Sequence, residues 1–113
     1  MLIVENKNII LAKHVITFDT FIKRLIGLMG KTHLSSYEAL VIDQCSQVHT
    51  MFVFFKLDLI FIDNDNRIIE IVNELKPFSL SPKVKNASKV IELTGGKLSQ
   101  FDIQKGDRLN VIR

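Results

Sequence analysis

A chain of 113 residues is the length of one ordinary domain, and a 47% hydrophobic composition is enough to build a core. The formal net charge of +3 and pI near 9.1 come from cations dispersed from Lys7 to Arg113, which argues against a nucleic-acid face. The single cysteine, Cys45, excludes an intramolecular disulfide and a zinc site built mainly from thiolates, and it fits a reducing compartment.

The N-terminus has no basic region followed by a long apolar run, since Glu5 interrupts the only candidate, so a cytoplasmic protein is expected. Short apolar runs at residues 2–4 and 9–12 flank Glu5-Asn-Lys-Asn8 and predict an N-terminal hairpin, with residues 14–17 continuing its second strand. From Phe18 the apolar residues fall at 18, 21, 22, 25, 28 and 29, which is helical spacing, and predict one clear helix over about 18–29. Thr17 or Asp19 supplies its N-cap and Gly30 its C-cap. Gly27 inside it implies an early end or a backbone packed close by. Arg24 lies on the flank of the apolar stripe, where its stem can pack while the guanidinium reaches a partner.

Residues 31–37 read as a polar turn and 39–42 as a short buried strand. The chain is organised around residues 45–63, where an apolar run at 51–55 is broken by Lys56 and resumes at 57–62 with one carboxylate, Asp58. Both halves read as strands buried on both faces. An ionised carboxylate enters such a sheet only with a cation or hydrogen-bond donors to hold it. Asp63-Asn-Asp-Asn66 is a turn that pairs residues 58–63 with 67–72. Residues 76–89 hold two prolines and four lysines with no acid, the composition of a flexible loop. A strand at 90–93 stops at Gly95-Gly96, a short helical segment covers about 97–102, and Gly106-Asp107 precedes a last strand at 109–112. The reading is a single α+β domain over 1–113, β-rich, with a mostly antiparallel sheet or small barrel-like fold. The apolar window at 51–62 falls short of the roughly 20 residues of a membrane helix.

Arg24 with Gly27-Leu-Met29, then Cys45-x-x-Val-His49-Thr50, Asp58, Phe61, Asp63, Leu93 before Gly96, and Gly106-Asp107 form a series of motifs. In this series the chain resembles, from about Thr17 to Leu109, the bacterial and archaeal family known as domain of unknown function 192. The resemblance implies a β-rich domain with no established activity. The chain departs from the family pattern at Val53, where members commonly carry methionine, at Phe54, where they carry a basic or polar residue, and at Lys56, where they carry proline.

Cys45 and His49 are four residues apart, partners on a helical turn but roughly 13 Å apart along a strand. In the turn geometry His49 lowers the Cys45 pKa and gives a reactive thiolate; otherwise both are ordinary core side chains. Asp58 and Arg24 read as an ion pair from helix to sheet, structural or held for a ligand. His14, His33 and Asp43 sit at no recognised ligand spacing, so no metal and no cofactor are expected. The lysines of 76–89 carry no recognised binding motif, which argues against nucleic acid as a partner. The leading expectation is a non-catalytic binding or accessory module for a small molecule or protein, with Arg24, Cys45, His49, Thr50 and Asp58 lining a cleft between helix and sheet. The alternatives are a small enzyme using Cys45 or Asp58 and a purely structural interaction protein.

Overall fold

Asn6 and Asn8 take left-handed backbone, with φ of 72° and 55°, and so close the expected hairpin between β1 (Leu2–Val4) and β2 (Ile9–Ala12). The computed structural model describes residues 1–28, 31–34 and 38–112 of the chain. The hairpin does not run on into residues 14–18. These form β3 (His14–Phe18), which pairs in parallel with β4 (Glu38–Asp43) in a different sheet. The helix α1 (Phe21–Leu28) lies between β3 and β4 in the chain. Parallel neighbours need a crossover, and a helix supplies it here.

The helix begins three residues later than its apolar spacing suggests, because Phe18 ends β3. Its cap is Thr20, whose Oγ1 accepts the Lys23 N–H at 3.2 Å, in place of Thr17 or Asp19. Asp19 instead forms an exposed ion pair with Lys23. A Cβ on Gly27 would meet the Phe18 ring at 2.9 Å, so the close neighbour is an aromatic side chain rather than a backbone. Met29, Gly30 and the end of the 31–37 turn fall outside the described residues.

The remaining strands are β5 (Leu57–Ile62), β6 (Ile68–Leu75), β7 (Lys89–Thr94) and β8 (Leu109–Val111). They complete a three-stranded sheet in the order β2-β1-β8 and a five-stranded sheet in the order β3-β4-β7-β5-β6. Apart from β3–β4 all pairings are antiparallel, and neither sheet closes into a barrel. Gly95 and Gly96 separate the end of β7 from a 3₁₀ turn at Lys97–Gln100.

Period-two alternation gives the larger sheet two dry faces. Val41, Ile60, Ile62, Ile91 and Leu93 pack toward the smaller sheet, against Leu2, Val4, Leu11 and Leu109. Leu40, Ile42, Leu59, Phe61 and Val90 pack the other way, against Leu28, Leu34, Val48 and Val53. Every residue of β5 is buried, which accounts for its continuous apolar sequence.

The first half of the central run is not a strand. Residues 51–56 turn out from the sheet, with Val53 buried while Phe52 and Phe54 are about half exposed. The lysine-rich loop is pinned to residues 46–50, directly before this segment. Thr50 N–H donates to Ser79 O, Phe78 N–H to Thr50 O, Ser81 N–H to Val48 O and Val84 N–H to Ser46 O, all at 2.8–2.9 Å. The composition of residues 76–89 signals a loop, but four backbone hydrogen bonds to residues 46–50 hold its first half in place. No helix among the described residues is long and apolar enough to cross a membrane.

Candidate functional site

Register decides which carboxylate Arg24 meets. Asp58 stands opposite Leu93, whereas Glu92 stands opposite Leu59 and Leu40. Glu92 therefore shares the α1 face of the sheet with Leu40 and Leu59, and Asp58 shares the opposite face with Ile60 and Leu93. Arg24, fully buried, reaches Glu92 and not Asp58. Its Nε donates to Oε1 at 2.5 Å and its Nη2 to Oε2 at 2.6 Å, a bidentate pair, while Nη1 donates to the His49 carbonyl at 2.9 Å. The guanidinium also lies 5.1 Å from the centre of the Phe21 ring. Burial pushes the Glu92 carboxyl above its ordinary range, and the Arg24 guanidinium offsets part of that rise.

The expected Arg24–Asp58 pair is thus absent, and Asp58 is satisfied by backbone. Its Oδ1 accepts N–H groups from Glu74 at 2.8 Å and Gly96 at 3.0 Å, and its Oδ2 accepts that of Leu98 at 2.9 Å. Glu74 and Gly96 adopt left-handed backbone, φ 52° and 87°, in presenting those groups. Asp58 ties β5 to the end of β6 and to the start of the 3₁₀ turn, and it faces away from the helix.

Cys45 and His49 do not form a nucleophile and base. The Cys45 thiol donates to the Gln47 carbonyl at 3.1 Å, and no hydrogen bond joins it to His49 among the described residues. Burial pushes its pKa up, and the negative charge of Glu92 pushes in the same direction. His49 packs its ring edge-on to Phe21 with centroids 4.6 Å apart, and its Nδ1 accepts the Met51 N–H at 3.3 Å, which assigns the proton to Nε2. Burial, helped by the nearby Arg24 charge, lowers its pKa. Thr50 is buried and knots two loops together, donating its hydroxyl to Lys76 O at 2.6 Å and accepting the Ser79 N–H at 2.8 Å. Arg24, Glu92, His49 and Thr50 form one continuous frame; Asp58 stands outside it. Among the described residues no group of three or more His, Cys, Asp or Glu side chains could hold a metal ion.

What this frame supports is a surface of exposed rings. Phe78 lies edge-on to Phe52 at 6.0 Å and to Phe54 at 5.6 Å between centroids. Met51 and Leu80 are exposed beside them in sequence. Phe52 and Phe78 both have positive φ, 63° and 55°, where a bulky side chain is strained. Sequence reasoning missed this platform because an unbroken apolar run signals burial. It also missed Glu92, although an acid inside the apolar run of residues 90–93 is the same anomaly that drew attention to Asp58.

The family comparison bears on the whole chain, since the DUF192 family (Uncharacterized ACR) matches residues 2–111. The chain belongs to the DUF192 family. Two archaeal relatives are each 28% identical to it. The UPF0127 protein of Thermococcus gammatolerans aligns over 97% of this chain and 74% of its own length, and UPF0127 protein PH1112 of Pyrococcus horikoshii over 96% of both. A solved structure of a protein of unknown function from Novosphingobium aromaticivorans superposes with a TM-score of 0.74 at 20% identity, covering 88% of this chain and 75% of that one. At that identity the likeness extends to the DUF192 fold and no further.

Proposed function

We propose that the chain is a non-catalytic binding module that works through the aromatic platform of Phe52, Phe54 and Phe78. Its partner is a protein segment that offers apolar side chains flanked by acids. The observation that carries this reading is the pair of bulky, half-exposed rings held at positive φ. Such a conformation costs on the order of 1–3 kcal/mol and persists only where the surroundings impose it. Here Thr50 and the Arg24–Glu92–His49 frame impose it from below. Charge selects the partner's sign. Residues 44–57 and 75–91, which build the platform, contain no acid and five lysines, of which Lys56 and Lys76 are exposed next to the rings in sequence. The expected cleft around Arg24, Cys45, His49 and Asp58 has no support in the geometry, because Asp58 faces the other layer.

The test separates support from recognition. Replacing Phe52 by Gly should leave the fold intact and raise stability by up to about 1 kcal/mol, since glycine bears positive φ without strain. Binding of a fluorescent Leu/Glu amphipathic peptide should weaken at least tenfold in Phe52→Gly and in Phe78→Ser, while a Leu/Lys peptide of equal length should not bind. Equal affinity for both peptides, or for the variants and the parent, would remove the platform as a recognition surface. Binding to phosphatidylglycerol vesicles in preference to the acidic peptide would replace the partner by a membrane surface.

A further inference from the structure

On the opposite face of the five-stranded sheet, between β4–β7 and the edge strand β8, lies a cleft of about 260 Å³. Its floor is aliphatic, made by Val41, Ile62, Ile91 and Leu109. Its rim carries two opposite charges. Asp43 and Lys89 are direct cross-strand partners in the antiparallel β4–β7 ladder, and they share a face with Val41 and Ile91, so both side chains line the cleft. Opposite charges at such positions ordinarily close on each other, their Cβ atoms being about 4.5–5.5 Å apart. Here neither residue forms an ion pair among the described residues, and Asp43 Oδ1 accepts only the adjacent Gln44 N–H, at 3.0 Å. Both side chains are half-buried, where water screens a ligand's charge less than at the open surface.

We infer that this cleft is a binding site for a small zwitterion with an aliphatic side chain, the chemistry of a free α-amino acid. Asp43 receives the ammonium group and Lys89 the carboxylate, while the side chain lies on the aliphatic floor. The amides of Asn66 and Asn110 at the rim offer both donors and acceptors to the remaining polar edges. The volume is slightly below the roughly 300–1,000 Å³ of ordinary ligand sites, which restricts the occupant to a small molecule. Among the described residues no aromatic side chain lines the cleft, so a sugar would find no ring there on which to stack. The site is independent of the aromatic platform, which lies on the α1 side of the sheet.

The experiment is an amide-resolved NMR titration of the full chain with L-leucine, N-acetyl-L-leucine, L-leucinamide and glucose. L-leucine should shift residues 41–43, 89–91 and 109–111 with a Kd on the order of 0.1–1 mM, as expected for so few ligand atoms. Each capped analogue removes one charge and should bind at least tenfold more weakly. Asp43→Asn should erase the discrimination against the N-acetyl compound, and Lys89→Gln that against leucinamide. The assignment is overturned by the absence of shifts in the cleft at saturating L-leucine, by equal affinity for all three leucine compounds, or by a cleft response to glucose alone. Should either variant fail to fold, the comparison of ligands on the parent chain still decides.

Discussion

Asp58 on β5 and Glu92 on β7 are two fully buried carboxylates on neighbouring strands of one sheet, and they are satisfied by different means. Asp58 gathers three backbone N–H groups from the loops that close over its face. Glu92 accepts two short hydrogen bonds, 2.5 and 2.6 Å, from a single guanidinium delivered by α1. The first arrangement fixes the path of the chain and depends on no other side chain. The second couples two elements, and through the bond from Arg24 to the His49 carbonyl it carries that coupling into the loop bearing the exposed rings. A buried carboxylate held by backbone is architecture, whereas one held by a side chain on another element is a joint.

The contrast predicts unequal damage. Glu92→Leu strands a buried guanidinium and should cost about 3 to 5 kcal/mol in urea unfolding. Asp58→Asn keeps the shape but loses the charge and sets an amide N–H₂ against backbone donors, so it should cost about 1 to 3 kcal/mol. If Asp58→Asn proved the more damaging of the two, the distinction between joint and architecture would be reversed.

The smallest effect is on the helix side and concerns pH. The folded-state pKa of His49 lies below its ordinary value of 6.5. Between the two values the unfolded chain holds a proton that the folded chain does not, so stability should fall as pH drops through 6.5 toward the folded pKa, and the loss should persist below it. His49→Gln should flatten the dependence of unfolding free energy on pH between about 7.5 and 5. An unchanged slope in that variant would assign the dependence to another group.

How much of this was legible follows from the same residues. The β1–β2 and β5–β6 hairpins, the 39–42 and 90–93 strands and the stops at Gly95-Gly96 and Gly106-Asp107 were readable because turn chemistry and apolar runs are local signals. The need of Asp58 for donors was also readable, but the identity of those donors was not. They are main-chain groups of residues 74, 96 and 98, and backbone N–H carries no sequence signature. The pairing of Arg24 turned on whether a strand residue is odd or even, and a one-residue difference in register exchanges the faces of Asp58 and Glu92. Phe52 and Phe54 read as core because hydrophobicity reports what a side chain avoids and not where the loop around Thr50 points it. The parallel strand β3 was within reach, since a helix between two strands is what a parallel crossover requires.

The central claim is that Arg24 is joined to Glu92 across the helix-facing layer and is energetically separate from Asp58. Two double-mutant cycles by urea unfolding test it, one on Arg24→Met with Glu92→Leu and one on Arg24→Met with Asp58→Leu. The account predicts a coupling of about 2 to 3 kcal/mol in the first cycle and a value within about 0.5 kcal/mol of zero in the second. A large coupling between Arg24 and Asp58, with none between Arg24 and Glu92, would contradict it.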